Sequence, residues 1–376
     1  LNFPVITAAS ESGGTVAADF DLDVPAGDYR IEFFNNAAAD PSGNGEGETY
    51  VDFYDVVAHP GGSASYSTSL AGSAGDILTA TATEDLGASF GSTSEFSAAV
   101  VTGPLTLVVN SGGNASDLNP GNGLCDTGGT VGAAPECTLD AAIQEANAVS
   151  GADTIDFAIP DTDPLYRNLG AGLSYWRIQP AASLTPVTDD GTTIDATTQT
   201  SYAVAQGYFV NDTGPEIEIN GTGVAGAGNG IEIQSSNNEI RGFVINRFVT
   251  GIAVLGGDGN VIAGNYLGPD AGGASGLVGN DHEGVLVYGA TNTVIGGTAA
   301  ADRNVISGNR LRGVAVDDWS DGAPYISDGT QIIGNYIGTN ATGTANLPYD
   351  NSPQYQQIGV YILDSRDTVV GTAANG

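Results

Sequence analysis

From Gly230 onward, apolar residues recur in short alternating runs that each open on glycine: Gly230-Ile-Glu-Ile233, Gly251-Ile-Ala-Val254, Gly284-Val-Leu-Val287, Gly313-Val-Ala-Val316 and Gly359-Val-Tyr-Ile362. Each is followed by a second run that closes on glycine: Asn238-Glu-Ile-Arg-Gly242, Asn260-Val-Ile-Ala-Gly264, Asn292-Thr-Val-Ile-Gly296, Thr330-Gln-Ile-Ile-Gly334 and Asp367-Thr-Val-Val-Gly371. A third short strand, centred on Ile245, Leu267, Ile306 and Ile337, completes four of these turns. Alternation with period two means strands, and repetition of the whole three-strand unit means stacked coils. Inward residues of successive coils then lie about 4.8 Å apart. Ile240, Ile262, Val294, Ile332 and Val369 are accordingly expected to form one aliphatic ladder, with Asn238, Asn260 and Asn292 as a polar ladder at a corner. Glycine at the strand borders is expected to supply positive φ.

Upstream the pattern changes. Residues 1–102 alternate β-rich runs (Tyr29–Phe34, Tyr50–Val57, Ala64–Leu70, Ile77–Thr83, Phe96–Val101) with turn clusters, which predicts a small antiparallel sandwich. Within 103–152, Leu139, Ala142, Ile143 and Ala146 form a helical stripe behind Thr138, a natural N-cap, and Asp140, which suits the positive end of the helix dipole. A helix just before a stack of coils can cover the apolar cross-section of the first one. Strands at Thr154–Ile159, Trp176–Gln179, Thr192–Asp195 and Glu216–Asn220 supply irregular first coils. The expected fold class is therefore all-β: an N-terminal antiparallel β-sandwich over 1–102, a segment over 103–152 with one short capping α-helix, and a right-handed three-faced parallel β-helix over 153–376.

Charge narrows the partners. Nine arginines, no lysine and 44 acidic residues give a net charge of −35, which disfavours nucleic acid and anionic membranes. No stretch approaches the ~20 apolar residues of a membrane-crossing helix, so no direct membrane span is expected. The two cysteines, Cys125 and Cys137, lie close together in a Gly/Asn/Asp-rich stretch and are expected to form a local disulfide, which persists in an oxidising compartment. The chain opens at Leu1 without a leader and stops inside a repeat, as expected for a processed product or a piece of something longer.

The run Leu124-Cys-Asp-Thr-Gly-Gly129 through Glu136-Cys-Thr-Leu-Asp-Ala-Ala-Ile-Gln-Glu-Ala-Asn147 resembles the CSLREA domain, with Thr138, Asp140 and Ala141 in place of its usual Ser, Arg and Glu. The repeats Asn304-Val-Ile-Ser-Gly-Asn309 and Gly334-Asn-Tyr-Ile-Gly-Thr-Asn-Ala-Thr-Gly-Thr344 are similar to the pectate-lyase-like parallel β-helix regions that follow this domain. Asn2-Phe-Pro-Val-Ile6, Tyr29-Arg-Ile-Glu-Phe-Phe34, Gly45-Glu-Gly-Glu-Thr49 and Gly75-Asp-Ile-Leu-Thr-Ala-Thr-Ala-Thr83 resemble the Ig-like sandwich typical of such arrays. The resemblance implies a secreted, extracellular and cell-surface location, and it carries no established catalytic residues.

Several clusters are candidates for chemistry. Asp317, Asp318 and Asp321 surround Trp319, which suits acid chemistry on a polysaccharide with an aromatic against a sugar ring; a solvated loop is the plainer account. Asp281, His282 and Glu283 precede Gly284, near Arg303, Arg310 and Arg312, and Glu283 with Arg312 is expected to be a surface ion pair on consecutive coils. Asp117, Asn119, Asn122 and Asp126 read equally as a calcium loop or as Asx turns held by the disulfide; no cofactor is required. Asp19, Asp21 and Asp23 share one face of a strand as exposed charge. Loops at Gly268–His282 and Gly338–Gln357 leave the same corner and form a contact face. Asn114, Asn211, Asn220 and Asn340 fit the glycosylation pattern.

The resulting expectation is an extracellular structural protein, self-associating into a fibre, stalk or surface array, with Leu1, Asn2, Phe3, Pro4, Val5 and Ile6 available to add as a strand to a neighbour. A carbohydrate-binding adhesin using Trp319 comes second, and a polysaccharide lyase or hydrolase third.

Overall fold

The computed structural model describes residues 1–12, 14–38, 45–224, 228–317, 327–348 and 357–371. The chain is mostly β and divides into two units. One comprises Leu1–Thr106 with Asn119–Leu124 and Glu145–Asp153; the other comprises Leu107–Leu118, Cys125–Gln144 and Thr154–Gly376.

The first unit has two antiparallel sheets. One runs Val5–Ser12, Thr15–Val24, Gly62–Ala71, and the other Thr49–His59, Gly27–Asn36, Ile77–Asp85, Phe90–Thr93, with Val100–Val101 also on Ile77–Asp85. Strict alternation in Thr15–Val24 turns Val16, Ala18, Phe20, Leu22 and Val24 inward, where they join Ile31 and Phe33 in a single core. Phe20 meets Phe33 edge-on at 5.6 Å and stacks on Tyr66 at 5.7 Å. Asp19 and Asp21 point away from that core, as expected, and accept hydrogen bonds from Ser67 and Ser65 on the paired strand.

The second unit is built on three parallel sheets. The first passes through Thr154–Phe157, Thr193–Asp195, Glu239–Arg241, Val261–Ala263, Val294–Gly296, Gln331–Ile333 and Val369–Val370. Ser174–Ile178, Ile217–Asn220, Phe243–Asn246, Tyr266–Leu267, Val305–Ile306 and Tyr336–Ile337 make the second, and Asn229–Ile233, Thr250–Val254, Glu283–Tyr288, Arg312–Asp317 and Ile358–Leu363 the third. From Asn229 onward the chain visits the three in unvarying rotation. The irregular early strands belong to the same sheets, since Ile194 pairs with Ile240 and Ile217 with Phe243.

Register corrects three expectations. The aliphatic row of the first sheet is Ile194, Ile240, Ile262, Ile295, Ile332, Val370, whereas Val294 and Val369 stand one residue off it and Val369 is exposed. For Val294 the cause is the pair Gly296-Gly297, of which the second, not the first, continues the row of Gly334. The same shift places Thr293, not Asn292, beside Asn260. Finally, positive φ holds at the closing glycines Gly242, Gly264, Gly296, Gly334 and Gly371, whereas the opening glycines Gly251 and Gly284 are required by close approach instead. A Cβ at Gly251 would stand 2.6 Å from the carbonyl oxygen of Gly284, and one at Gly284 would stand 2.8 Å from that of Gly313.

Buried asparagines join the coils at the corners. Asn238 Nδ2 donates to Asn260 Oδ1 at 3.2 Å, Asn265 to Asn304 at 3.2 Å, Asn304 to Asn335 at 2.9 Å, and Asn280 to Asn309 at 3.0 Å. The same oxygens also accept backbone N–H groups, such as that of Asn265 on Asn304 at 2.9 Å. Each amide thus satisfies turn groups that no sheet reaches.

Two helices occur. Leu139–Ala148 begins as expected, with the Thr138 hydroxyl accepting from the Ala141 N–H at 3.1 Å, and it buries Leu139, Ala142, Ile143 and Ala146. The second, Thr198–Gln206, was not expected. It is fastened by polar groups: Gln199 accepts from the Ile159 N–H at 2.8 Å and donates to the Ile159 carbonyl at 2.9 Å, and Thr198 accepts from the Phe157 N–H. One disulfide joins Cys125 to Cys137.

Candidate functional site

The outer face of the second sheet carries a cleft of about 490 Å³. Its floor follows from alternation. In Ser174–Ile178, Trp176 and Ile178 are fully buried on one side, so Tyr175 and Arg177 fall on the other. Parallel pairing sets Arg177 beside Glu218, and the guanidinium Nε donates to Glu218 Oε2 at 2.6 Å. The other Glu218 oxygen accepts from Asn246 at 3.0 Å and from Asn220 at 3.4 Å. Glu218 is only 4% exposed, so these partners supply what water would otherwise give its charge.

Burial alone would lower the Arg177 pKa, but Glu218 and then Tyr175 outweigh it and the net direction is upward. Burial, and then Glu218, push the Tyr175 phenol up as well, so it remains a neutral hydroxyl within reach of the guanidinium at 3.2 Å. Leu169 and Leu173 form one wall. Asp270, Ala271, Gly272 and Val278 form a second, with Leu173 and Ala271 packed into one apolar cluster, and the exposed Arg247 also lines the cleft. That second wall is the corner loop expected at Gly268–His282, and it meets the next corner loop where the Ala341 N–H donates to the Gly273 carbonyl at 3.0 Å.

A second cavity of about 330 Å³ is lined by Thr197, Glu216, Tyr266 and Arg303. Glu216 is 1% exposed, and both of its oxygens share the one N–H of Asn211, at 2.9 and 3.0 Å. Burial first, and Asp212 second, overcome that hydrogen bond and raise its pKa to about 7.

The clusters singled out in the sequence are dispersed. Glu283 and Arg312 are register partners and pair at 2.8 Å, with Arg312 also 4.4 Å over the Tyr361 ring. Arg310 lies 3.9 Å from Asp281, while Arg303 packs over Tyr336 at 4.3 Å and donates to the Gly334 carbonyl. The His282 backbone carbonyl accepts from Leu311 and Arg312. Asp317 ends its strand and accepts through its carbonyl from Ser327; Asp318, Trp319 and Asp321 lie outside the described residues.

Of the candidate calcium ligands, Asn122 and Asp126 make Asx turns, and Asp117 closes the loop across it. Asp117 Oδ2 accepts from the Asp126 N–H at 2.8 Å, Asp126 Oδ1 from Gly128 at 2.7 Å, and Asn122 Oδ1 from Leu124 at 2.8 Å; Asn119 is exposed. Among the described residues no three His, Cys, Asp or Glu side chains gather as a metal would need. At the N-terminus, Leu1 is exposed, Asn2 donates to the Asp23 carbonyl at 2.9 Å, and Val5 and Ile6 begin a strand paired to Asp21 and Phe20. Of the glycosylation patterns, Asn211 and Asn220 are buried with their amides engaged, while Asn340 sits in a turn bounded by exposed residues.

No known family model and no curated protein matches the chain. The cleft was not found by sequence reasoning. Its signal was present as a charged residue at the outward position of two strands, Arg177 and Glu218, but these lie 41 residues apart on coils without the later repeat.

Proposed function

We propose that this chain is an extracellular structural protein of a surface array, built from a right-handed parallel β-helix of the kind that follows a CSLREA domain and from an Ig-like β-sandwich. The observation that carries the reading is the in-register rotation of the chain through three parallel sheets from Asn229 onward, with one continuous aliphatic row and short rows of hydrogen-bonded asparagines. Backbone bonds and asparagine amides tie neighbouring strands of each sheet together, which suits a load-bearing element. The expected right-handed winding follows from the strong handedness of parallel β crossovers. A disulfide and a charge of −35 suit an oxidising, salt-containing exterior.

Self-association through a sheet edge fits the same reading. Val5–Ser12 is an edge strand that pairs with Thr15–Val24; Gly103 bridges its outer side at Ala9 to Glu11, and at the other end Val5 is 50% exposed near the exposed Leu1. Sedimentation velocity over rising concentration, with electron microscopy of the same samples, tests it. Growing particles that are lost in Val5→Lys are expected. A chain that stays at monomer mass up to its solubility limit would remove the assembly role.

A further inference from the structure

The geometry points to the cleft over Arg177 and Glu218 as a binding site for an acidic sugar, a saccharide unit whose ring carries a carboxylate or sulfate. This stands apart from the structural reading above and survives its failure.

The cleft volume of about 490 Å³ matches one or two sugar rings. Its surface mixes flat polar groups, Gln179, Asn220 and the Arg177–Glu218 pair, with the aliphatic Leu169, Leu173 and Val278, the combination that receives ring hydroxyls on one side and C–H faces on the other. Four charged groups line the cleft, Arg177 and Arg247 against Glu218 and Asp270, and the charge sense rests on which cation is free of an ion pair. Arg177 is held by Glu218, and Asp270 Oδ1 accepts from the N–H groups of Ala274 and Ser275, both at 3.0 Å. Arg247 is exposed where it lines the cleft, and its guanidinium has no acceptor among the described residues. On a chain with 44 acidic residues, a cation left unengaged beside a cleft is an invitation to an outside anion.

The backbone gives independent support. Arg247 holds φ +63°, a left-handed conformation that suits glycine, and is fixed there by its N–H to the Val278 carbonyl at 3.0 Å and by the close approach of Gly221 to its own carbonyl. Six other non-glycine residues share this conformation, Ala58 and Ala171 among them, but Arg247 is the one of these seven that brings a cation to the cleft.

Calorimetric titration of the full chain tests this with three probes: a glucuronate-containing disaccharide, its sulfated glucose counterpart and the neutral glucose disaccharide. One or both acidic probes are expected to bind at least about tenfold more tightly than the neutral one, and the tighter of the two identifies the acidic group. Arg247→Gly should abolish that preference with a melting temperature no lower than the parent's, and Arg247→Lys should retain part of it. Equal affinity for all three probes, no binding of any, or an acid preference that persists in Arg247→Gly would overturn the assignment. A fall in melting temperature in Arg247→Gly would do the same, because it would make Arg247 a brace and not a ligand group.

Discussion

At the scale of single residues, the stack depends on polar groups that have no alternative partner. Asn304 accepts from the Asn265 N–H and donates to the Ile262 carbonyl, both deep in the unit. Asn304→Ala would orphan two buried backbone groups and is expected to cost about 2–4 kcal/mol in urea denaturation, more than its lost volume alone would explain. Glu216 predicts a pH dependence of unusual sign. Its pKa rises from 4.5 in the unfolded reference to about 7 in the fold, so the native state binds the extra proton. The stability this contributes is fully present below about pH 4.5 and is lost as pH climbs through about 7, a change on the order of 3 kcal/mol. Glu216→Gln should flatten that part of the stability profile and leave the variant firmer than the parent at pH 8.

Among elements, register is the quantity most open to test. Ile295 is fully buried and lies in the row of Ile262 and Ile332, whereas Val294 is half-buried on the other face. Ile295→Ala is expected to cost about 2–4 kcal/mol and Val294→Ala less than about 1 kcal/mol, and the reverse order would restore the register that the glycine spacing suggested. The comparison also marks what could be read in advance. The strands of the repeats were legible because alternation and glycine recur together, and the Glu283–Arg312 pair because two coils carry opposite charges at one position. The doubled Gly296-Gly297 hid a one-residue slip that no local pattern resolves. Thr198–Gln206 was invisible for a different reason: it is anchored by Gln199 and Thr198 rather than by an apolar stripe. The cleft floor escaped notice because Arg177 and Glu218 look like ordinary outward strand residues until the parallel pairing sets them side by side.

For the whole molecule, the surplus of acidic charge sets the solution behaviour. Raising salt from about 0.01 M to about 1 M shortens the screening length from about 30 Å to about 3 Å, and a chain of net charge −35 is expected to melt at a higher temperature as a result. A melting temperature that is flat across that range would mean the carboxylates are already neutralised locally. The asparagine rows have one further implication. In each row the amide nitrogen of the earlier residue donates to the oxygen of the later one, from Asn238 to Asn260, from Asn265 to Asn304 to Asn335, and from Asn280 to Asn309. The rows therefore all carry the same arrow, donor end leading. Within each pair the donating asparagine nitrogen thus faces the later strand and the accepting oxygen the earlier one, so the stack has one polarity along the chain and its two ends are not equivalent.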